Sequence, residues 1–338
     1  MSFSGLARLR ALRPNRNQIA FAILTAVLIA VPLWRVADLT AYPMTGIMWA
    51  VSACLVAWIA QDDPWLGLLA GYWGVRAIFS PLALAFEAMF MALVCVVLLC
   101  VARLAGPSLR NILLVVAGLQ AALAIVQACL GSVANGSVGN SNYLGNLLAM
   151  VTPLAPVWML PLLLGGVVAS KSAMAVLAVS AGLAYRWPRQ IPAILALIGV
   201  GFTWRGFLFE SWATRWQVWQ IGWWDALQSP LIGHGPSGWL LRVPLQQHAA
   251  QVPDGIYAAA HNEYLQAFHA GGILLVALIG LWAWAHRASW RDPMWGGAAL
   301  ALAVSAIGFF PLQTAATAIV AVTVLGAATR RPQCVSSV

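Results

Sequence analysis

Long apolar stretches, separated by short polar connections, run through almost the whole chain. An apolar helix needs about 20 residues to cross a bilayer, and somewhat fewer inside a bundle. The pattern predicts such helices at 19–36, 44–60, 65–79, 82–102, 111–130, 172–185, 190–204, 262–285, 294–310 and 312–329. Prolines interrupt the apolar stretch 143–169, which predicts a short hairpin that enters and leaves on one side. The predicted fold is an all-α, polytopic transmembrane helical bundle of about 10–12 membrane segments.

The longest hydrophilic stretch, 205–260, carries a second helical pattern. Its tryptophans recur at helical spacing, at Trp212, Trp216, Trp219 and Trp223, and Ser229-Pro230 ends the pattern. One interpretation is an amphipathic helix that lies flat on the outer leaflet with its tryptophans in the lipid. The alternative is a loop helix packed onto the bundle. Both keep Arg215 near the membrane surface.

Composition agrees with lipid as the main solvent. Of 338 residues, 62% are hydrophobic and 8% are charged, whereas a soluble domain carries about 25% charged residues. The net charge of +9 includes no basic run mixed with aromatics on a soluble domain, so a nucleic-acid partner is not expected. The five cysteines form no CxxC pair and are interpreted as small buried hydrophobes, without a metal or disulfide role.

Basic residues sort the connections between the stretches into two sides. Membrane proteins keep arginine and lysine mostly in the cytoplasm. Arginines lie at 8–16 and 330–331, so both termini are expected there. With the hairpin, Lys171 and the stretch 205–260 fall on the outer side. The chain then divides into N-terminal helices (1–130), a second membrane region with the outer loop (131–329) and a cytoplasmic tail (330–338).

Candidate chemistry concentrates on this outer side. His261, Asn262 and Glu263 directly precede the apolar run of 262–285, which places a group that titrates near neutral pH at the membrane boundary. Lys171, the only lysine, either has an anionic partner at the boundary or extends to water. Gly233 and Gly235 around His234 permit a tight turn, which either binds an anion or is a plain turn.

Several segments together resemble the O-antigen ligase and polymerase superfamily. The resemblance runs from about residue 131 to 326, and the long loop occupies the place it has in that family. The segments that carry it, in order, are Gly139-Asn140-Ser141-Asn142-Tyr143-Leu144, Ser170-Lys171-Ser172-Ala173, Arg215 with Trp219, Pro230-Leu231-Ile232-Gly233-His234-Gly235, His261-Asn262-Glu263-Tyr264-Leu265-Gln266 with Gly271-Gly272-Ile273-Leu274, and Phe309-Phe310-Pro311-Leu312-Gln313. Lys171 stands where the family usually has arginine, and the chain is short for the family.

The resemblance implies a polytopic glycosyltransferase of the bacterial inner (cytoplasmic) membrane with a periplasmic active site. Its donor would be a glycan on a polyprenyl diphosphate, and its acceptor a hydroxyl of the lipid A–core, which makes an O-antigen ligase. The same motifs fit a polysaccharide polymerase or a protein O-oligosaccharyltransferase. The partners are thus the lipid-linked glycan, the lipid A–core or glycan acceptor and the membrane lipids.

The residues suit that chemistry. His261 is predicted to be the general base that takes the proton of the acceptor hydroxyl. Lys171 and Arg215 are predicted to bind the diphosphate, with Arg205 and Arg242 as weaker candidates. No cofactor is expected and, since no carboxylate cluster suits magnesium, no metal either. Candidates to orient the histidine or bind sugar are Asn262, Glu263 and His234; Glu263 could equally be a first-turn acid stabilised by the helix dipole.

A permease or lipid flippase is the alternative of a different class. It would show inverted repeats and broken helices around a site at the membrane midplane. The sequence has no convincing internal repeat, and its charged residues cluster at the outer surface. A structural membrane scaffold, the third class, would not require a titratable motif where the loop meets the helix.

Overall fold

A computed structural model describes most of the chain from residue 63 onward. The described residues are 63–78, 98–99, 101–103, 105, 108–190, 208–236, 238–252, 257–309, 311–312 and 314–329. The predictions that lie outside them are the spans 19–36 and 44–60, most of 82–102 and of 190–204, and the tail 330–338.

All regular structure in these residues is helical, which confirms the all-α class. The α-helices are α1 (Pro64–Ile78), α2 (Ser108–Cys129), α3 (Ser141–Val151), α4 (Leu160–Ser170), α5 (Ala173–Arg186), α6 (Leu208–Ala226), α7 (Gly238–Ala249), α8 (Glu263–Ala285), α9 (Pro293–Gly308) and α10 (Ala315–Ala328). Short 3-10 turns lie at Thr152–Leu154, Val157–Met159, Pro188–Gln190 and Ser289–Arg291. Among the described helices, α2 and α8 are long and apolar enough to cross a membrane. The larger number of membrane segments stays a prediction.

The stretch 143–169 folds back on itself, as the prolines predict. Its two arms are α3 and α4, and between them lie the two 3-10 turns, the first containing Pro153 and the second directly following Pro156. The ends of the arms meet, because a Cβ on Gly145 would contact the Ser170 hydroxyl. Each arm has 11 residues, which gives about 16 Å of helix at 1.5 Å per residue.

The main core surrounds α3, whose residues from Leu144 onward are all buried. Helices α5 and α9 make the closest approach beside it. Each uses a glycine at the contact: a Cβ on Gly182 would lie 2.7 Å from Gly297 O, and one on Gly297 the same distance from Gly182 O. Small residues of this kind allow helices to pack by backbone contact where lipid removes the hydrophobic driving force.

Arginines gather at one end of the bundle, which we call the basic end. Arg103 donates to Asp63 at 2.6 Å and lies 3.1 Å from the His286 ring. Arg186 donates to the carbonyls of the hairpin turn, among them Ala155 O at 2.6 Å, and Arg110 donates to Leu154 O at 2.8 Å. Trp290, just after α8, donates to Ala283 O, and Tyr185 of α5 donates to Trp290 O, so the hairpin turn and the end of α8 lie at the same end of the bundle.

Helix α6 packs lengthwise against the start of α8. Trp219 donates to Ala260 O at 2.7 Å, and the Trp223 ring lies 5.2 Å from that of Phe268. The face that α6 buries carries Thr214, Val218, Gly222 and Asp225, whereas Trp216 and Trp223 are about half exposed. Of the two interpretations of the tryptophan helix, the contacts favour packing onto the bundle.

Helix α8 is broken at Gly272, whose backbone is at φ 63° and ψ −166°. The segment 230–235, between α6 and α7, inserts at this break. A Cβ on Gly272 would lie 2.5 Å from Ile232 N, so only glycine permits both this conformation and this approach.

Candidate functional site

Most of the segments that carry the family resemblance meet at the end of the bundle opposite the basic end, which we call the motif end; the segments 230–235 and 271–274 lie instead at the break in α8. The Tyr143 ring at the start of α3 lies 5.4 Å from the Phe309 ring after α9. A Cβ on Gly308 would lie 2.7 Å from the sulfur of Met174, in the first turn of α5. The backbone amide of Leu312 donates to Glu263 at 2.8 Å. Helices α3, α5 and α8 all begin here, and their N-terminal dipole ends favour anions.

His261 sits in a short segment that side chains hold at several points. Its own backbone is left-handed, at φ 52°, which histidine adopts more readily than most residues. Directly before it, both backbone groups of Ala260 are bonded. The amide donates to the Gln266 side chain at 2.9 Å, and the carbonyl accepts from Trp219 at 2.7 Å.

A second clamp acts through Tyr257, whose ring meets that of His261 edge-on at 5.3 Å between centroids. The buried Gln247 of α7 accepts from the Tyr257 amide at 2.6 Å and donates to its carbonyl at 3.2 Å. Trp239 also donates to that carbonyl, at 3.3 Å. Helices α6 and α7 thus fix the position of His261 from both sides.

Arg215 is the cation that acts on His261. It donates to Gly308 O at 2.7 Å, and burial lowers the pKa of this guanidinium, which stays charged at neutral pH. Burial also lowers the pKa of His261 to about 4, with the positive charge of Arg215 acting in the same direction. The imidazole of His261 is consequently neutral at pH 7 and able to accept a proton.

Asn262 and Glu263 have structural roles at the start of α8. The Asn262 side chain accepts from Leu265 N at 3.0 Å and caps the helix. Glu263 is in the first turn, where the dipole stabilises a carboxylate, and its bond to Leu312 ties the loop after α9 to α8. These contacts do not conflict with the prediction that Asn262 and Glu263 orient His261.

Lys171 lies at the motif end, in the tight connection from α4 to α5. Its backbone is left-handed, at φ 59°, and ends α4, a position at which glycine is more usual. The side chain is exposed. Met174, three residues further on, contacts Gly308, the residue whose carbonyl holds Arg215.

A separate polar cluster, which we call the Asp225 cluster, forms where α6, α7 and α8 meet. Asp225 and His269 are fully buried. Arg242 donates to both carboxylate oxygens of Asp225, at 2.9 and 3.0 Å; Gln246 donates at 2.6 Å and His269 Nε2 at 2.8 Å. His234 Nε2 lies 2.8 Å from the backbone carbonyl of Asp225.

The spacing within this cluster invites comparison with a metal site. Ligand atoms of Asp225, His234 and His269 all lie within 4.8 Å of one another. A carboxylate has about four sites for accepting hydrogen bonds, and the four bonds from Arg242, Gln246 and His269 fill them. The guanidinium also supplies the neutralising charge that a cation would otherwise provide. The arrangement therefore favours a structural network.

The predicted site residues thus separate into two groups. His261, Asn262, Glu263, Lys171 and Arg215 lie at the motif end. Arg242 and His234 belong instead to the Asp225 cluster, because their polar groups face Asp225; Arg242 also donates to Gln228 at 2.6 Å. Arg205 lies outside the described residues.

Sequence reasoning missed the Asp225 cluster and the Gln247 clamp. One signal was present: His269 is a titratable residue inside the predicted span 262–285, and such residues need a partner when lipid surrounds the helix. Nothing in the spacing of Asp225 or Gln247 identified that partner, because three separate helices supply the cluster. Comparison with known proteins adds no relative, since no protein-family model and no curated protein matches the chain.

Proposed function

We propose that this protein is a membrane glycosyltransferase of the O-antigen ligase type. It transfers a glycan from a polyprenyl diphosphate to a hydroxyl of the lipid A–core at the periplasmic face of the inner membrane. The observation that carries the proposal is the meeting of separate motif segments at the motif end, with neutral His261 beside Arg215. Residues far apart in the chain lie close together there.

The chemistry requires a base on one side of the sugar and cations on the other. The acceptor oxygen attacks the anomeric carbon while the bond from that carbon to the diphosphate oxygen breaks. His261 takes the hydroxyl proton, and the polyprenyl diphosphate leaves with the bonding electron pair. The developing negative charge is stabilised by preorganised positive groups.

Arg215 and Lys171 supply this positive charge, together with the N-termini of α3, α5 and α8. The hydrogen bond from Arg215 to Gly308 O holds one arm of the guanidinium. Lys171 is exposed beside the start of α5 and can move to meet a phosphate as a point charge.

Donor binding also raises the pKa of His261. With the site empty, burial and Arg215 keep the pKa of His261 at about 4. A bound diphosphate offsets the charge of Arg215 and favours the imidazolium form. His261 thus becomes a stronger base when the donor is present, which couples proton removal to donor binding.

The outer surface of the bundle supports membrane placement. Midway along α2, Val115 and Leu119 are more than 60% exposed, and apolar residues at such exposure on a long apolar helix suit contact with lipid. On the lipid A–core assignment, loss of the protein leaves lipopolysaccharide without long chains. Single-repeat chains would instead indicate a polymerase, and intact chains with an altered glycoprotein would indicate a protein-directed transferase.

The test compares two histidines. His261→Ala should abolish transfer from a purified lipid-linked glycan to lipid A–core, because the base is lost. His248 is exposed on α7, and His248→Ala should leave turnover unchanged. Wild-type turnover in His261→Ala, at equal protein levels and equal thermal stability, would exclude His261 as the base; no transfer to any hydroxyl acceptor by the wild type would exclude the function.

A further inference from the structure

The break in α8 is filled by backbone from the segment 230–235. Four hydrogen bonds join the two on either side of Gly272. They run from His234 N to His269 O, Gly235 N to Ala270 O, Ile273 N to Pro230 O and Leu274 N to Leu231 O, at 2.8, 2.8, 2.8 and 3.3 Å. The segment therefore replaces the bonds that the broken helix cannot make within itself.

Helix α1 covers two further carbonyls of this segment, those of Ile232 and Gly233. Arg76 donates to Gly233 O at 2.7 Å. The Tyr72 hydroxyl donates to Gly271 O at 2.6 Å and lies 3.3 Å from Ile232 O. Every carbonyl from Pro230 to Gly233 thus has a protein group within hydrogen-bonding distance. Within a bilayer, the polar groups of irregular backbone need hydrogen-bond partners from the protein, because no water is present to bond them.

The depth of the break can be measured along both α1 and α8. At the basic end, Trp282 donates to Asp63 at 3.2 Å, which sets α1 and α8 side by side. Gly271 is 11 residues along α8 from Trp282, or about 16 Å at 1.5 Å per residue. Tyr72 is nine residues along α1 from Asp63, or about 14 Å. The hydrophobic layer is about 30 Å thick, so both distances end near its middle.

Two side chains of the inserted segment, those of Leu231 and Ile232, are apolar and exposed. Leu231 is 65% exposed and Ile232 is 45% exposed. They continue an exposed apolar surface on α8, where Ile273 is 48% and Leu274 46% exposed. Exposure of such an apolar surface to water would be unfavourable.

We propose that Pro230–Gly233 is a re-entrant segment near the middle of the hydrocarbon layer, with Leu231 and Ile232 in contact with lipid chains. The predicted outer loop 205–260 thus returns halfway into the membrane. The Asp225 cluster lies beside this segment: its Asp225 and His269 are fully buried, whereas the Arg242 side chain that pairs with Asp225 is 39% exposed. The proposal rests on membrane placement of α2 and α8 and is independent of glycosyl transfer.

The test uses spin labels on single cysteines in the full-length chain, with its five native cysteines replaced by serine, in phosphatidylcholine liposomes. Leu231→Cys is compared with Leu119→Cys and Gln217→Cys. Leu119 is 67% exposed on α2 and nine residues from Arg110 of the basic end, about 14 Å, which matches the proposed depth. Gln217 is an exposed polar residue of α6, two positions from Arg215 of the motif end.

Collision of each label with oxygen, which concentrates in lipid, is measured against collision with a water-soluble nickel chelate. The label at Leu231 should match that at Leu119: high oxygen and low nickel contact. A ratio like that of Gln217 would overturn the proposal. Ile232→Cys repeats the test at the neighbouring exposed position, and unchanged helical circular dichroism shows that each variant is folded.

Discussion

Substitution of Gly272 by alanine tests the break in α8 most directly. At φ 63° and ψ −166° the residue is in a region almost confined to glycine, where another residue costs about 1–3 kcal/mol. The added Cβ would also lie 2.5 Å from Ile232 N and against the Leu231 carbonyl. The backbone of the inserted segment cannot move away from this Cβ without losing the hydrogen bonds that Ile273 N and Leu274 N donate to it, which contribute about 1 kcal/mol each.

These contributions together predict a loss of about 3 kcal/mol or more in the free energy of unfolding. The melting temperature should fall by about 4 °C or more, and the 18 tryptophans allow thermal unfolding in detergent to be followed by fluorescence.

Gly280, in the same helix, provides a matched control. A Cβ there would meet nothing within 4 Å, so Gly280→Ala should leave the melting temperature unchanged or raise it, because alanine favours helix by about 1 kcal/mol over glycine. Equal melting temperatures for the two variants would refute the inserted segment as the cause of the break.

Three further predictions concern the Asp225 cluster, His261 as the base, and the hydrogen bonds by which Gln247 holds Tyr257. Asp225→Asn should lower the free energy of unfolding by about 2–3 kcal/mol, since charged hydrogen bonds are lost at a buried position; a chemical denaturation curve equal to that of the wild type contradicts this. For activity, the neutral fraction of His261 falls as pH drops through its pKa, about 4 in the empty site. Arg215→Gln removes a positive charge that lowers the pKa of His261, so the acid limb of the kcat/KM pH profile should move to higher pH. Arg215→Lys keeps the charge and should leave the acid limb at low pH. Identical acid limbs in the two variants would exclude an effect of the Arg215 charge on His261. Gln247→Ala releases Tyr257 and should reduce kcat about tenfold or more with little change in KM, and a change confined to KM would instead place Gln247 in donor binding.

The apolar pattern anticipates most of the described helices to within a few residues. The predicted stretches 111–130 and 262–285 correspond to α2 and α8, and the three prolines of 143–169 do lie in or next to a hairpin turn. These elements are predictable because helix formation in an apolar solvent depends on local composition and on backbone bonds within the segment. The break at Gly272 was not predicted, since a glycine pair inside an apolar run does not show what will fill the gap.

The candidate site is predictable only in part, for a related reason. His261, Lys171 and Arg215 were identified one by one from residue type and position, and only the structure brings the positive charge of Arg215 near enough to His261 to help burial lower its pKa. Arg242 looked equivalent to Arg215 in the sequence, yet it pairs with Asp225. An arginine's partner depends on which carboxylate or carbonyl the helices bring near it.

By itself, then, the sequence determined that the described chain is helical, where most of its helices run, and that a titratable histidine stands at the start of α8. These properties follow from local hydrophobicity and residue chemistry. Only the tertiary structure decided that α6 packs along α8, that the segment 230–235 enters the break at Gly272, and which cation accompanies His261. Those outcomes depend on buried polar groups finding partners across helices that are distant in the chain, since an unpaired buried group costs about 1–3 kcal/mol and sequence spacing does not specify the partner.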